Sequence, residues 1–212
     1  MPGICSAYLD AASTLPALLR TEGLAEAWPH PSALAKMSVG ALAAHLGAQV
    51  LMVPGLLRAE PDPTTEVVPL LGHYARVAWV DADLDDEVMV AIRAGGERAA
   101  MAGPAALVDG VEVALVELGD LLGSVEGAPV TLPWVGWSLT RTDFLLTRMM
   151  EVVVHSDDLA ASLGIEAPAL PPAVLQPVLG LLTALSVRRH GQAAVVRALT
   201  RAERAPADIT AF

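Results

Sequence analysis

The sequence predicts an all-α fold with a four-helix core. Three observations carry that prediction. Hydrophobic residues make up 54% of the chain but aromatics only 4%, so the apolar content is mostly Ala, Leu and Val. Ala and Leu are strong helix formers. No run of residues keeps the period-two alternation of a half-buried strand, and segments of helical length are separated by Gly- and Pro-rich breaks.

The elements follow in chain order. A first helix is predicted over Ser6 to Thr21, with Ser6 or a neighbour as its cap, Gly23 as its stop and Pro16 marking a kink or late start. Leu24 to Met37 holds two prolines and reads as a loop. Ser38 is the predicted N-cap of a second helix, SVGALAAHLGAQVLMV, bent or ended at Pro54 and Gly55. PDPTTE, Pro61 to Glu66, is a loop, and a helical piece follows near Val68 to Val80. DADLDD forms a turn into DDEVMVAIRAGGERAAM, whose acidic start suits the helix dipole. Gly103 and Pro104 break it, and Ala105 to Leu122 is helical again. Val125 to Ser138, with Gly127, Pro129, Pro133 and Gly136, reads as an extended crossover loop. That connection admits a crossover rather than strict up-and-down topology. The fourth long helix starts near Thr140 or Thr142 and ends at Gly164. Pro168, Pro171 and Pro172 separate it from two C-terminal helices ending near His190 and Arg204.

A chain of 212 residues accommodates one domain, or one domain with an extension. The reading divides it into a bundle over 1–165 and a helical extension over 166–212 packed on it. The net charge of -11, from 24 acidic and 13 basic residues, repels phosphate backbones and anionic surfaces. No nucleic-acid partner is expected. The single cysteine, Cys5, excludes an intrachain disulfide and a CxxC metal site. The start, MPGICSAYLD, lacks the features of a signal peptide, so the cytoplasm is the expected compartment. Met37 to Leu57 and Ala167 to Val187 carry no formal charge and are about as long as a bilayer span. Prolines, glycines and polar residues interrupt both, so they read as buried helices, with no membrane partner.

The most informative segment is Phe144 to Ser162, FLLTRMMEVVVHSDDLAAS. At 3.6 residues per turn, Phe144, Arg148, Glu151, His155, Asp158 and Ser162 share one face. Met149, Met150, Val152, Val153 and Val154 make the other faces apolar, so the helix belongs in an interior and its polar stripe needs compensation there. Glu151 and His155 are one turn apart and can converge on a divalent ion. Arg148 and Asp158 flank them as outer partners of the ligands. The same stripe also reads as an internal ion-pair ladder, Arg148 with Glu151 and His155 with Asp158. His45 lies in the uncharged second helix. It is either a hydrogen-bonded core histidine or a third ligand from a facing helix, completing an open three-ligand site. His30 is expected in an exposed loop. His73 reads as an ordinary helix histidine or as lining a pocket beside Tyr74 and Trp79. His190 is expected at a helix end, where a cation suits the dipole.

The paired segments MSVGALAAHLG and TRMMEVVVHSDDLA resemble the mycothiol-dependent maleylpyruvate isomerase family of the DinB-like superfamily. Its pattern is a Ser/Thr-V-x-x-L-x-x-H-L helix followed by a T-R-x-x-E-x-x-x-H-x-x-D-L helix. The resemblance covers roughly Ser6 to Ile165. It implies a DinB-like four-helix bundle and a metal triad of His45, Glu151 and His155. It further implies a divalent ion, zinc by donor type with nickel, iron, manganese and copper as alternatives, and mycothiol as cosubstrate. The activity implied is thiol-dependent transfer or isomerisation of a small electrophile, with a non-catalytic metal-binding stress or ligand-binding protein as the alternative. A homodimer is admitted as the assembly. Two differences stand out. Relatives often carry a Trp before the second helix, where this chain has Lys36 and Met37. The characterised isomerase type has a mixed α/β C-terminal domain, whereas the 47 residues after Ile165 here read as helical.

Overall fold

The computed structural model describes residues 3–123 and 127–212. Its helices are α1 (Ile4–Ala12), α2 (Leu15–Leu19), α3 (Leu24–Ala27), α4 (Val39–Leu51), α5 (Val53–Arg58), α6 (Leu70–Arg76), α7 (Glu87–Ala100), α8 (Gly103–Leu121), α9 (Arg141–Leu163), α10 (Pro172–His190) and α11 (Gln192–Thr200). The fold is all-α, as the composition predicts. Its core is a ring in which α1 packs on α9, α9 on α4, α4 on α8, and α8 back on α1 and α2. The chain reaches α8 and α9 consecutively, yet they lie across the ring from each other. The connection between them, of which residues 122–123 and 127–140 are described, therefore joins opposite sides of the ring.

Local sequence explains the main helix ends. Ser38 caps α4, its Oγ accepting from the Ala41 amide at 3.0 Å. Glu97 of α7 completes that end by accepting from Ser38 N and Oγ, both at 3.0 Å. Thr140 Oγ1 caps α9 by accepting from the Asp143 amide at 3.1 Å. Gly164, at φ +66°, ends α9 in the left-handed conformation that glycine adopts without strain. Gly103, at φ +81°, turns the chain so that α7 and α8 meet at 96°.

Four expectations are refined or corrected in detail. The first helix starts at Ile4 and is broken into α1 and α2, with Pro16 in the first turn of α2, where its missing N–H costs nothing. Leu24–Met37 is not wholly loop, since it contains α3. Of the two outcomes expected at Pro54 and Gly55, the second helix is interrupted rather than ended: Pro54 lies in the first turn of α5, after a small break at Met52. The crossover holds a hairpin, β1 (Val130–Leu132) antiparallel to β2 (Trp137–Leu139), with Val130 opposite Leu139. Three-residue strands are too short to show alternation. Ser138 N donates to Glu66 O at 2.8 Å and Val68 N to Ser138 O at 2.9 Å, which ties the hairpin to the segment before α6. Residues 125 and 126 of the predicted crossover lie outside the described residues.

Among the described residues, the helical stretch Val39–Arg58 is long and apolar enough to cross a membrane, and most of it is buried inside the bundle. The predicted span-like segment Ala167–Val187 becomes a linker and α10, which packs on α9 and α1. Beyond α11 the chain turns back. Ser186 Oγ donates to Ile209 O at 2.7 Å, and the Phe212 ring sits 5.0 Å from that of Trp79. Cys5 is a free, buried thiol.

The α4–α7 contact depends on small residues. A Cβ on Gly96 would lie 2.9 Å from the Ala41 carbonyl oxygen, a backbone atom that cannot rotate away. Gly96→Val is therefore expected to push α7 off α4 at a cost of about 1–3 kcal/mol. Urea unfolding would show this as a lower midpoint at unchanged slope. An unchanged midpoint would mean that α7 is loosely held.

Candidate metal centre

α4 and α9 are apolar on most faces, and each turns a polar group toward the other. His45 comes from the middle of α4, and Glu151 and His155 come from successive turns of α9. One ligand-type atom from each lies within 4.8 Å of the other two. Glu151 Oε2 is 3.0 Å from His155 Nε2 and 3.8 Å from His45 Nε2. The two imidazoles meet edge to face at 4.9 Å between ring centroids. The side chains are 25%, 13% and 16% exposed for His45, Glu151 and His155. The cluster is thus sunk between helices but reachable from solvent.

Electrostatics keeps the cluster charged. Burial pushes the Glu151 carboxyl up, but the imidazoles of His155 and His45 and the nearby Arg148 charge outweigh it. Glu151 is held well below the usual carboxylate range. Burial alone would lower His155, yet the Asp158 and Glu151 carboxylates on its two nitrogens raise it to about 9. Without an ion, His155 is an imidazolium donating to Asp158 Oδ2 at 2.9 Å and to Glu151 Oε2 at 3.0 Å.

The predicted Arg148–Glu151 rung of the ladder does not form. Arg148 Nη1 reaches across to Gln49 Oε1 of α4, and its Nε donates to Thr147 Oγ1 at 3.1 Å. Its guanidinium also sits 6.0 Å from the centre of the Phe144 ring. The reason is geometric: α4 offers a buried amide to Arg148, while the two imidazoles already surround Glu151. Ser162 lies further along the stripe, donating to Asp158 O at 2.7 Å and accepting from Ala33 N at 2.8 Å.

Sequence reading missed Gln49, which is 2% exposed. Its Nε2 donates to the His45 carbonyl at 3.0 Å and lies 3.4 Å from His45 Nε2. Tyr8 Oη of α1 donates to the Gln49 carbonyl at 2.8 Å. The i, i+4 spacing from His45 was the available signal.

The other histidines stand apart. His30 is exposed. His190 Nε2 donates to the Thr210 carbonyl at 2.9 Å. His73 is buried, and its Nδ1 accepts from Trp137 Nε1 of the hairpin at 3.1 Å. Burial, with the Arg148 charge, lowers its pKa to about 4 against an opposing pull from Glu151. The unfolded chain therefore binds this proton near pH 6.5 while the folded chain does not. The sign is loss of stability as pH falls from about 6.5 towards 4. Between pH 7 and pH 5 this group is expected to remove about 2 kcal/mol. His73→Asn keeps an acceptor for Trp137 without the titration, so its urea-unfolding stability should fall by about that much less over the same range. Equal pH dependence of the two proteins would contradict the assignment.

Fold and site together define an all-α bundle with a His-Glu-His cluster between two of its helices. A family model described as the mycothiol maleylpyruvate isomerase N-terminal domain matches residues 8–160, and the chain belongs to that family, within the DinB-like superfamily. Among curated proteins and among solved structures, no match to this chain was found.

Proposed function

We propose that the chain is a metal-dependent, thiol-using transferase or isomerase acting on small electrophiles. In this reading His45, Glu151 and His155 hold zinc, and mycothiol is the thiol. The observation that carries it is the convergence of three donor atoms within 4.8 Å, presented by two otherwise apolar helices. Family membership supports a mycothiol-associated role.

The donor set fits the ion. Two imidazoles and a carboxylate are zinc ligands, and three protein ligands leave a position open. Asp158 on His155 Nδ1 is the type of outer partner that orients a ligating imidazole and raises its basicity. Zinc held there would supply positive charge that lowers the pKa of a thiol. Glu151 supplies the compensating negative charge. A cleft of about 370 Å³ lies on the flank of α9 beside Asp158, walled by Val153, Val154, Leu170 and Leu175 and by none of the three proposed ligands. The bundle over 1–165 is the functional unit in this reading, and the extension over 166–212 closes one side of the cleft. The working compartment is the cytoplasm, with no nucleic-acid or membrane partner.

Elemental mass spectrometry of the purified protein, followed by thiol-consumption assays with mycothiol and an electrophile panel, tests the reading. About one zinc per chain with thiol consumed is the expected result. Zinc without thiol consumption would leave a metal-binding protein with no turnover, and the transferase reading would fall. No zinc even after incubation with it would reduce the cluster to a buried ion-pair network.

A further inference from the structure

We infer that the cleft on the flank of α9 is a binding site for a small organic cation, an ammonium group on a short aliphatic chain, held by Asp157 and Ser156. One stretch of α9 builds most of it. Val153, Ser156 and Asp157 stand at i, i+3 and i+4, as do Val154, Asp157 and Asp158, so they fall on adjoining strips of the helix surface. The linker after α9 adds Leu170, and the first turn of α10 adds Leu175. The volume of about 370 Å³ is at the low end of the range for small-molecule pockets. None of the three proposed metal ligands lines the cleft, so a cation held there is independent of the metal reading.

Two polar groups in the cleft are left over by the fold. Ser156 is 3% exposed, and its Oγ, closed to solvent, meets no hydrogen-bond partner among the described residues. A helical serine often turns its hydroxyl back to a carbonyl of the preceding turn. Ser162 does so on the same helix, donating to Asp158 O at 2.7 Å. An unmade bond at a buried hydroxyl costs stability, so Ser156 calls for a partner from outside the chain. Asp157 is exposed and has no ion pair or hydrogen bond among the described residues. Asp158 Oδ2 is already taken by His155 Nδ1 at 2.9 Å. No Lys, Arg or His lines the cleft, so its field is negative. Two carboxylates repel an anion, and a bare metal ion would gain nothing from aliphatic walls. An ammonium donates to the Asp157 carboxylate and to a lone pair of Ser156 Oγ. Its chain covers Val153, Val154, Leu170 and Leu175 and takes their apolar surface out of water.

The probe is n-hexylammonium, with 1-hexanol and hexanoate as neutral and anionic controls of the same chain length. Full-length protein with labelled Val and Leu methyls is titrated by NMR, as purified and again after chelator treatment, because an amine can itself ligate zinc. Saturable shifts of the Val153, Leu170 and Leu175 methyl signals are expected with hexylammonium, equal in the two preparations. Hexanol should bind about 10-fold or more weakly, and hexanoate should leave the signals unmoved. Asp157→Asn, at an exposed position, should weaken hexylammonium binding by about 10-fold or more. Ser156→Ala should also weaken it and, by removing the unmet hydroxyl, raise the urea midpoint of the ligand-free protein. Absence of any hexylammonium shift would overturn the inference. Equal affinity for hexylammonium and hexanol would overturn it too, leaving the cleft merely apolar. So would full affinity in Asp157→Asn, or a response that chelation abolishes. A lower urea midpoint in Ser156→Ala would give the hydroxyl a partner within the folded chain and overturn its part in the site.

Discussion

Glu151→Gln is expected to weaken zinc binding by at least about 100-fold, more than the loss of an outer partner costs a metal site. The substitution keeps the shape of the side chain and removes its charge. Glu151 is the shared centre of the cluster, lying 3.0 Å from His155 Nε2 and 3.8 Å from His45 Nε2. It is also the only carboxylate among the three proposed ligands, so without it the ion would face two neutral imidazoles. Removing one partner of a buried charge pair also leaves the other uncompensated. Here Asp158 remains on His155 Nδ1 at 2.9 Å, so the metal-free variant should still fold. Thermal melts with and without zinc, together with competition against a chromophoric chelator, separate the two effects. A folded variant that keeps the full zinc-induced rise in Tm would remove Glu151 from the ligand set.

Phe144→Ala should cost about 3–5 kcal/mol, the range for emptying a buried aromatic site. Phe144 is fully buried in the first turn of α9, where α9 meets the rest of the core. Its backbone carbonyl accepts from Thr147 Oγ1 at 2.7 Å, and its ring lies under the Arg148 guanidinium. The cavity should therefore loosen Arg148 as well as lower stability. Urea unfolding measures the loss of stability. A cost below about 1 kcal/mol would mean that the site collapses onto its neighbours, contrary to the close packing of protein interiors.

Much of the bundle was legible in the sequence because helix ends are local events. Ser38, Thr140 and Gly164 act through atoms a few residues away, and all three end helices where the reading placed them. The hairpin was not legible. Its strands pair locally, Val130–Leu132 with Trp137–Leu139, but at three residues each they are too short to show alternation, and the segment that anchors them, Glu66 to Val68, lies some seventy residues earlier. The break at Ser13 and Thr14 was legible only in part. Pro16 signals a kink or a late start, but which of the two occurs depends on what packs around it.

The candidate site divides in the same way. By spacing alone, Glu151, His155 and Asp158 share a face of one helix, and the Asp158 contact with His155 is local to α9. Whether His45 was a core histidine or a member of the cluster could not be decided from the residues themselves. The two readings differ only in how α4 is rotated against α9. Arg148 shows the limit most clearly. Its sequence neighbours offered Glu151, and its bond went to Gln49 on another helix. The sequence by itself determined the helices, their apolar faces and the residues with ligand chemistry, because these depend on contacts within a few turns. Only the tertiary structure decided which side chains meet across α4 and α9, because hydrogen-bond partners there are chosen by the approach of two helices about a hundred residues apart.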